Sequence, residues 1–351
     1  MSRPIVQIVE DARFRSHHGP EGHPERPERL IAVGEAIDAF RDRTEVVAPR
    51  PANRGEIQRI HEDRMIDFLA STPERGMGQI DADTYFSQTS YDVACLAAGG
   101  TVDLTLRILR GEVDRGFAAV RPPGHHAEAG RSMGFCLFNN IAIAARAAQT
   151  EEGAQRILIY DMDVHHGNGS QHSFESDPDV LYISTHQFPF YPGTGDFGDA
   201  GIGRGLGATL NVPMPAGCSD TEYVGIVQRI VTPATIAFAP DLILVSAGFD
   251  AHRSDPLASM EVSLEGYRAM AAILCSLADD LCGGRILFVL EGGYALDGLR
   301  DGTRAVLEGL TQVNAGECPA AASLEPGSVL RGLVDRIVEV HGRRIPALGA
   351  A

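Results

Sequence analysis

Asp161-Met-Asp163-Val-His165-His166-Gly167-Asn168-Gly169 gathers two carboxylates, two imidazoles and an amide in one short stretch. It follows Arg156-Ile-Leu-Ile-Tyr160, an apolar, β-branched run that reads as a buried strand, and then breaks into a Gly-rich loop. Strand periodicity is two, so Asp161, Asp163 and His165 lean one way where the strand ends. Carboxylate oxygen with imidazole nitrogen suits zinc, iron or manganese. A charged turn is the competing reading of any one of these residues. Their density behind a single strand favours a metal site, or half of one.

Asp250 closes the run Leu242-Ile-Leu-Val-Ser246-Ala-Gly-Phe-Asp250. An acid behind so apolar a run must be paired, hydrogen-bonded as a helix cap, or metal-bound. With Asp163 and His165 it makes three ligands and leaves a fourth position open. That is the pattern of catalytic zinc, where bound water loses a proton near neutral pH. His125-His126 stands on the Pro-Gly turn of Arg121-Pro-Pro-Gly124. Tandem histidines there are either further ligands or general acid/base groups, since imidazole titrates nearest to working pH. Asp161 and Asn168 are placed to fix each ring's tautomer. Tyr294 follows Glu291-Gly292-Gly293, whose glycines permit a sharp turn and close approach. Its phenol reads either as packing or as a donor to a developing oxyanion. Gly201-Ile-Gly203-Arg-Gly205-Leu-Gly207 lacks the GxGxxG spacing and precedes a strand, so it reads as a loop and not a phosphate cradle.

These residues need elements to hold them. Apolar runs at 5–9, 116–120, 156–160, 180–184, 208–212, 242–246 and 286–290 read as strands. Pro27 suits the first turn of a helix running to about residue 40. Helical patterns also cover 56–69, 91–109, 139–149, 219–231, 263–281, 296–310 and 329–340, with Gly99-Gly100 allowing close packing. Segment 76–89 reads as a surface loop and the tail 343–351 as frayed. Strands alternating with helices, each strand a continuous apolar run, mean an α/β protein with a mainly parallel sheet covered on both faces. Ligands bind at the carboxyl ends of such strands. Four strand ends carry the residues above: Arg121 to His126, Asp161 to His165, Ser246 to Asp250, and Glu291 to Tyr294. With no linker or repeat, 1–351 reads as a single domain with its core at about 5–340.

A chain of 351 residues with 44% hydrophobic content can bury a large core. Cys95, Cys136, Cys218, Cys275, Cys282 and Cys318 are scattered without a CxxC pair, which argues against a disulfide framework or a thiolate zinc site. Met1-Ser-Arg-Pro4 leads straight into an apolar run, and no run is long enough to cross a bilayer. The expectation is a cytoplasmic chain with no membrane partner. A net charge of −17, from 30 basic and 47 acidic residues, repels nucleic acid and favours cationic small molecules or lysine-rich peptides.

Six motifs stand together: Arg121-Pro-Pro-Gly-His125-His126-Ala127, Gly134-Phe135-Cys136, Asp161-x-Asp163-x-His165-His166-Gly167, Tyr191-Pro-Gly-Thr-Gly195, Ser246-Ala-Gly-Phe-Asp250 and Glu291-Gly-Gly-Tyr294. Their order resembles the zinc-dependent histone deacetylase family. It is most similar to the class II branch and its bacterial relatives, the histone deacetylase-like amidohydrolases and acetylpolyamine amidohydrolases. The likeness runs from His23-Pro24 to about Tyr294. It implies the arginase/deacetylase α/β fold, with a central eight-stranded, mainly parallel sheet. It also implies zinc on Asp163, His165 and Asp250, with His126 as the base that activates water and then the acid that protonates the amine. His125, beside Asp161, would act electrostatically, and Tyr294 would hold the carbonyl oxygen. Gly134 would offer its backbone carbonyl to the substrate amide. Phe135 and Tyr191 would wall the acyl-lysine tunnel; the family usually has Phe at the second wall. Arg29, in His23-Pro-x-x-Pro-x-Arg29, would line an acetate-release channel, and Asp83 would hold the substrate backbone at the rim.

The resemblance further implies potassium on Asp161, Asp163 and Ser184 with the backbone oxygens of His165 and Thr185. Asn168 stands where the class I branch has Asp, which leaves the His126 pKa less raised than an anion would. Leu257 occupies the gatekeeper position, where polyamine-selective relatives can carry an acid. A neutral residue there favours acetylated lysine in peptides or proteins, with acetylpolyamine deacetylation as the alternative. A dimetal ureohydrolase would need a second acid where His252 stands. A non-catalytic acyl-lysine-binding module is disfavoured by the intact His125, His126 and Tyr294. A homo-oligomer in which loop 14–23 caps a neighbour's active site is a further expectation.

Overall fold

All seven runs read as strands pair into one sheet, with a short eighth strand at its edge. The computed structural model describes residues 6–313 and 319–350; Ile5, Cys318 and the two chain ends lie outside the described residues. In chain order the elements are β1 (Val6–Val9), α1 (Glu28–Asp38), β2 (Glu45–Val47), α2 (Arg54–Ile57), α3 (Asp63–Ala70), α4 (Thr72–Arg75), β3 (Gly78–Gln79), β4 (Tyr85–Phe86), α5 (Ser90–Leu109), β5 (Arg115–Ala118) and α6 (Asn140–Glu151). There follow β6 (Ile157–Asp161), α7 (Asn168–Phe174), β7 (Val180–Gln187), β8 (Thr209–Met214), α8 (Asp220–Ile226), α9 (Thr232–Phe238), β9 (Leu242–Ala247), α10 (Leu264–Cys282), β10 (Ile286–Leu290), α11 (Leu296–Thr311) and α12 (Val329–His341).

The sheet order is β2-β1-β5-β10-β9-β6-β7-β8, and every pairing is parallel. Two helix layers cover it, α5 with α6 and α1 with α10 and α11. Burial on both faces explains why β6, β9 and β10 are apolar without alternation. The order also explains the convergence of the motifs. Strands β5, β10, β9 and β6 are consecutive neighbours, so their carboxyl ends form one crevice.

Gly99 has the use expected of it. A Cβ there would lie 2.2 Å from the Arg50 carbonyl oxygen and 2.3 Å from the Ala52 nitrogen, backbone that cannot yield. Elsewhere the structure corrects the expectations. Edge strand β2 is only three residues long and half exposed, too short to show a pattern. Segment 76–89 is not bare loop: β3 and β4 pair antiparallel, with Tyr85 and Phe86 buried. Asn168 does not lie in a loop but opens α7. The 219–231 helix continues through one widened turn at Val227–Val231 into α9, and Pro233, which has no N–H to donate, stands just past that turn. The tail is not frayed at Leu348, which is fully buried in the main core.

The helix expected over 56–69 is broken into α2 and α3. The break frees His61 and Glu62 to hold the segment that follows the tandem histidines. The Glu62 N–H donates to the Ala129 carbonyl at 2.7 Å. His61 donates from Nδ1 to the Glu128 carbonyl at 2.9 Å and accepts at Nε2 from the Asn139 N–H at 2.9 Å. Asn139 in turn caps α6 by accepting from the Ala142 N–H at 3.0 Å. His61 is therefore a neutral ring with both nitrogens occupied, and burial pushes its pKa down to about 4 from 6.5. A folded pKa below the unfolded one means this contribution is complete above pH 6.5 and is lost as pH falls toward 4. By pH 5 the loss amounts to about 1–2 kcal/mol. We expect the stability deficit of His61→Gln, measured by urea unfolding, to shrink by about that amount between pH 7.5 and pH 5. A deficit independent of pH would contradict the neutral-ring assignment.

Candidate active site

At the floor of the crevice the His165 Nδ1 atom lies 3.1 Å from Asp163 Oδ1 and 3.1 Å from Asp250 Oδ2. The ligand-type atoms of these three residues all lie within 4.8 Å of one another, and all three residues are buried. Backbone amides hold the acids in place. Asp163 accepts from the N–H groups of His165 at 2.9 Å and Gly292 at 2.8 Å, and Asp250 from that of Val164 at 2.9 Å. Glycine is required at two neighbours. A Cβ on Gly248 would lie 2.1 Å from Asp163 Oδ2, and one on Gly292 would lie 2.2 Å from Asp250 Oδ2. Burial, and then repulsion from Asp163, push the Asp250 carboxyl up to about 7. Two acids crowded in a dry site call for a cation.

The tandem histidines are differentiated by their partners. His125 Nδ1 lies 3.1 Å from Asp161 Oδ2, which also accepts from the Tyr182 hydroxyl at 3.0 Å. Burial alone would lower the His125 pKa, but Asp163 and Asp161 overcome it and raise it to about 10. His126 Nδ1 lies 2.8 Å from Asn168 Oδ1. Burial, and then the cationic His125, hold His126 well below its ordinary value, so it is neutral. The two rings sit 4.0 Å apart, one charged and one not. Their turn is fixed by the buried Glu291 carboxylate, which accepts from the N–H groups of Gly124 at 2.6 Å and His125 at 3.1 Å. Ser184 on β7 pairs with Asp161 on β6, and its hydroxyl contacts His186 Nδ1 at 2.9 Å.

A cavity of about 220 Å³ opens above these groups, lined by Asp83, His126, Gly134, Phe135, His165, Phe190, Tyr191, Leu257 and Tyr294. Gly134 and Phe135 both adopt positive φ, 57° and 66°. A Cβ on Gly134 would lie 2.4 Å from the His126 ring. The strained Phe135 turns its ring edge-on to Tyr294 at 5.6 Å. Tyr191 stands edge-on to His126 at 5.1 Å. Arg29 is buried beneath, donating to the carbonyls of Gly293 at 2.7 Å and Glu291 at 2.5 Å, with its guanidinium 5.0 Å from the Tyr294 ring centre. Burial raises the Tyr294 phenol well above its usual range, so it stays protonated and able to donate. Every residue singled out for the tunnel lines this one space, and so does His165; Asp163 and Asp250 are wholly buried and meet it only through His165, while Asp161, Ser184 and Arg29 are outside its lining.

The comparison with known proteins decides what this space belongs to. Residues 23–310 match the family described as the histone deacetylase domain. The chain belongs to the histone deacetylase family. "Histone deacetylase 14, chloroplastic" of Arabidopsis thaliana is 38% identical across 96% of this chain and 87% of its own length. A "Probable deacetylase" of Archaeoglobus fulgidus is 38% identical across 84% of this chain and 82% of its own. Against "Histone deacetylase 15" of Arabidopsis thaliana, 42% identical, the chain spans 55% of the relative's length. A solved structure, "Crystal Structure of HDA15 HD domain", superposes with a TM-score of 0.92 at 38% identity, over 99% of this chain and 98% of that one. The fold is the arginase/deacetylase fold, and the family reaction, hydrolytic deacetylation, is this chain's reaction.

Several residues of this deacetylase site escape sequence reasoning. Phe190 stacks on His165, with ring centres 5.4 Å apart and planes 19° apart. Its neighbour Tyr191 carried the whole motif signal. Loop 14–23 is tied to its own chain's site: Arg121 donates to the carbonyls of Phe14 at 3.0 Å and His17 at 2.9 Å, and His23 packs on Phe135 at 4.7 Å. In the sequence Asp255 stands before Pro256 with no motif around it. Its carboxylate accepts from the N–H groups of Tyr294 at 2.6 Å, Ala295 at 3.1 Å and Leu257 at 2.9 Å, at the start of α11. That joins the Leu257 rim to the backbone carrying Tyr294, and the positive end of the helix favours an anion there. Asp255→Asn must leave at least one of these amides without an acceptor. We expect it to cost about 1–3 kcal/mol in urea unfolding; unchanged stability would contradict the three-amide bridge.

Proposed function

We propose that this deacetylase is zinc-dependent and that Asp163, His165 and Asp250 hold the ion. One observation carries the reading: His165 Nδ1 points between two buried carboxylates, 3.1 Å from each, at the floor of an apolar tunnel. The donor set fits. Two carboxylates and one imidazole suit zinc and leave a position open to water and substrate. The two buried acids repel each other, and a cation between them relieves that repulsion. Zinc held there supplies Lewis acidity toward water and the acyl carbonyl. A potassium ion on Asp161, Asp163, Ser184 and the backbone oxygens of His165 and Thr185 belongs to the same proposal.

The protein's own groups carry the remaining steps. His126 gives its Nδ1 proton to Asn168 Oδ1, so the Nε2 lone pair is left for the tunnel. It takes a proton from the attacking water and returns it to the leaving amine. His125 keeps its charge through Asp161 and offsets negative charge as it develops. Tyr294 donates to the acyl oxygen, and Phe135, Phe190 and Tyr191 exclude water from the lysine stem. The Gly134 carbonyl accepts from the substrate amide. Asp83 at the mouth takes the substrate backbone, and Arg29 lines the exit for acetate.

The substrate we propose is acetyl-lysine within a peptide or protein. The neutral Leu257 at the mouth offers nothing to pair with a polyamine ammonium. The two Arabidopsis relatives above are named histone deacetylases, which agrees with a peptide substrate. The test is steady-state turnover of the zinc-loaded protein on an acetyl-lysine peptide, N-acetylputrescine and N8-acetylspermidine. The peptide should be cleaved fastest, and Tyr294→Phe should lower kcat on it by about 10²–10³. Faster polyamine cleavage would overturn the substrate assignment, and near-normal turnover of Tyr294→Phe would overturn the donor role.

A further inference from the structure

The general-base histidine depends on an ambiguous partner. Asn168 has two ends of nearly equal shape, but only Oδ1 accepts the His126 Nδ1 proton; the Nδ2 end would oppose it donor to donor. Something must set which way the amide faces. Asn168 Nδ2 donates to Glu128 Oε1 at 2.5 Å, and a carboxylate accepts only. Nδ2 also reaches the His126 carbonyl at 3.4 Å. Glu128 is itself held on three sides. His172 Nδ1 lies 2.9 Å from both of its carboxylate oxygens. Its backbone N–H donates to the Arg131 carbonyl at 2.9 Å, and its carbonyl accepts from His61 at 2.9 Å.

We propose that Glu128 is a positioning residue for catalysis: it fixes the orientation of the Asn168 amide and thereby the tautomer of His126. The inference rests on the reading of His126 as general base. Where the class I branch puts one carboxylate against the histidine, this chain uses a neutral amide with an anion behind it. An aspartate at 168 would accept from His126 at either oxygen and would need no orienting group. It would also set two carboxylates against each other at the 2.5 Å contact now made by the amide.

That difference supplies the test, which is a sign reversal. In the wild-type background, Glu128→Ala should lower kcat about 10- to 100-fold, the usual cost of losing an orienting partner, with KM within about twofold. Glu128→Gln, which still offers an oxygen to Asn168, should restore most of the loss. In the Asn168→Asp background, Glu128→Ala should raise kcat instead, because it removes a repelling neighbour. Thermal unfolding and zinc content of each variant are measured alongside; if Glu128→Ala fails to fold, Glu128→Ser takes its place in both backgrounds. Equal losses in both backgrounds, or no loss in either, would overturn the proposal. His126→Ala separates the two readings. If it leaves turnover intact, the general-base assignment fails. If it is inactive and the sign does not reverse, only the role of Glu128 fails.

Discussion

Two carboxylates, Asp163 and Asp250, are buried side by side, and the rest of the site follows from making that tolerable. Neither has any exposed surface. Moving an unpaired carboxylate out of water costs more than a domain's net stability can absorb. The structure answers with backbone amides at the ends of neighbouring strands and with imidazoles. The N–H groups of Val164, His165 and Gly292 reach the acids directly. Glycine at 248 and 292 keeps the opposing backbone close enough to do so. A parallel sheet is suited to this task, because its strand ends present loops from distant parts of the chain on one edge.

The same constraint orders the proton chemistry. Acids at 161 and 163 hold His125 charged, and the charge on His125 helps keep His126 neutral at 4.0 Å. Burial keeps the Tyr294 phenol protonated. One ring is thus a fixed cation, the next a free base and the phenol a donor, each set by its surroundings and not by its residue type. Loops that carry these groups are themselves tied by buried charge. Arg29 takes carbonyls of the Glu291–Tyr294 turn, while Asp255 takes its amides.

Much of this could be read from the residues. Asp161, Asp163 and His165 alternate behind a strand run, and that periodicity is physical information. So is the position of His125, Asp250 and Tyr294 just past other apolar runs. What sequence could not supply is lateral order. Strand β5 lies beside β10, and β9 beside β6, although each pair is far apart in the chain, and no local pattern encodes that. Edge strand β2 and the small β3–β4 ladder are too short for any periodicity to emerge. Asp255 and Glu128 were illegible for another reason. Each works through a hydrogen bond to backbone or to a second side chain, so its composition and spacing look like those of any loop acid. Phe190 was hidden beside Tyr191, since both occupy one aromatic pair and only geometry says which stacks on His165.

The proposed reaction depends on one divalent ion held among Asp163, His165 and Asp250. The most direct measurement removes all metal with a chelator, verifies this by atomic absorption, and titrates zinc back while following cleavage of an acetyl-lysine peptide. Negligible turnover is expected at the start, followed by a linear rise that breaks at one zinc per chain. Full turnover in protein shown to be metal-free, or a break at two zinc ions per chain, would contradict that dependence on one ion.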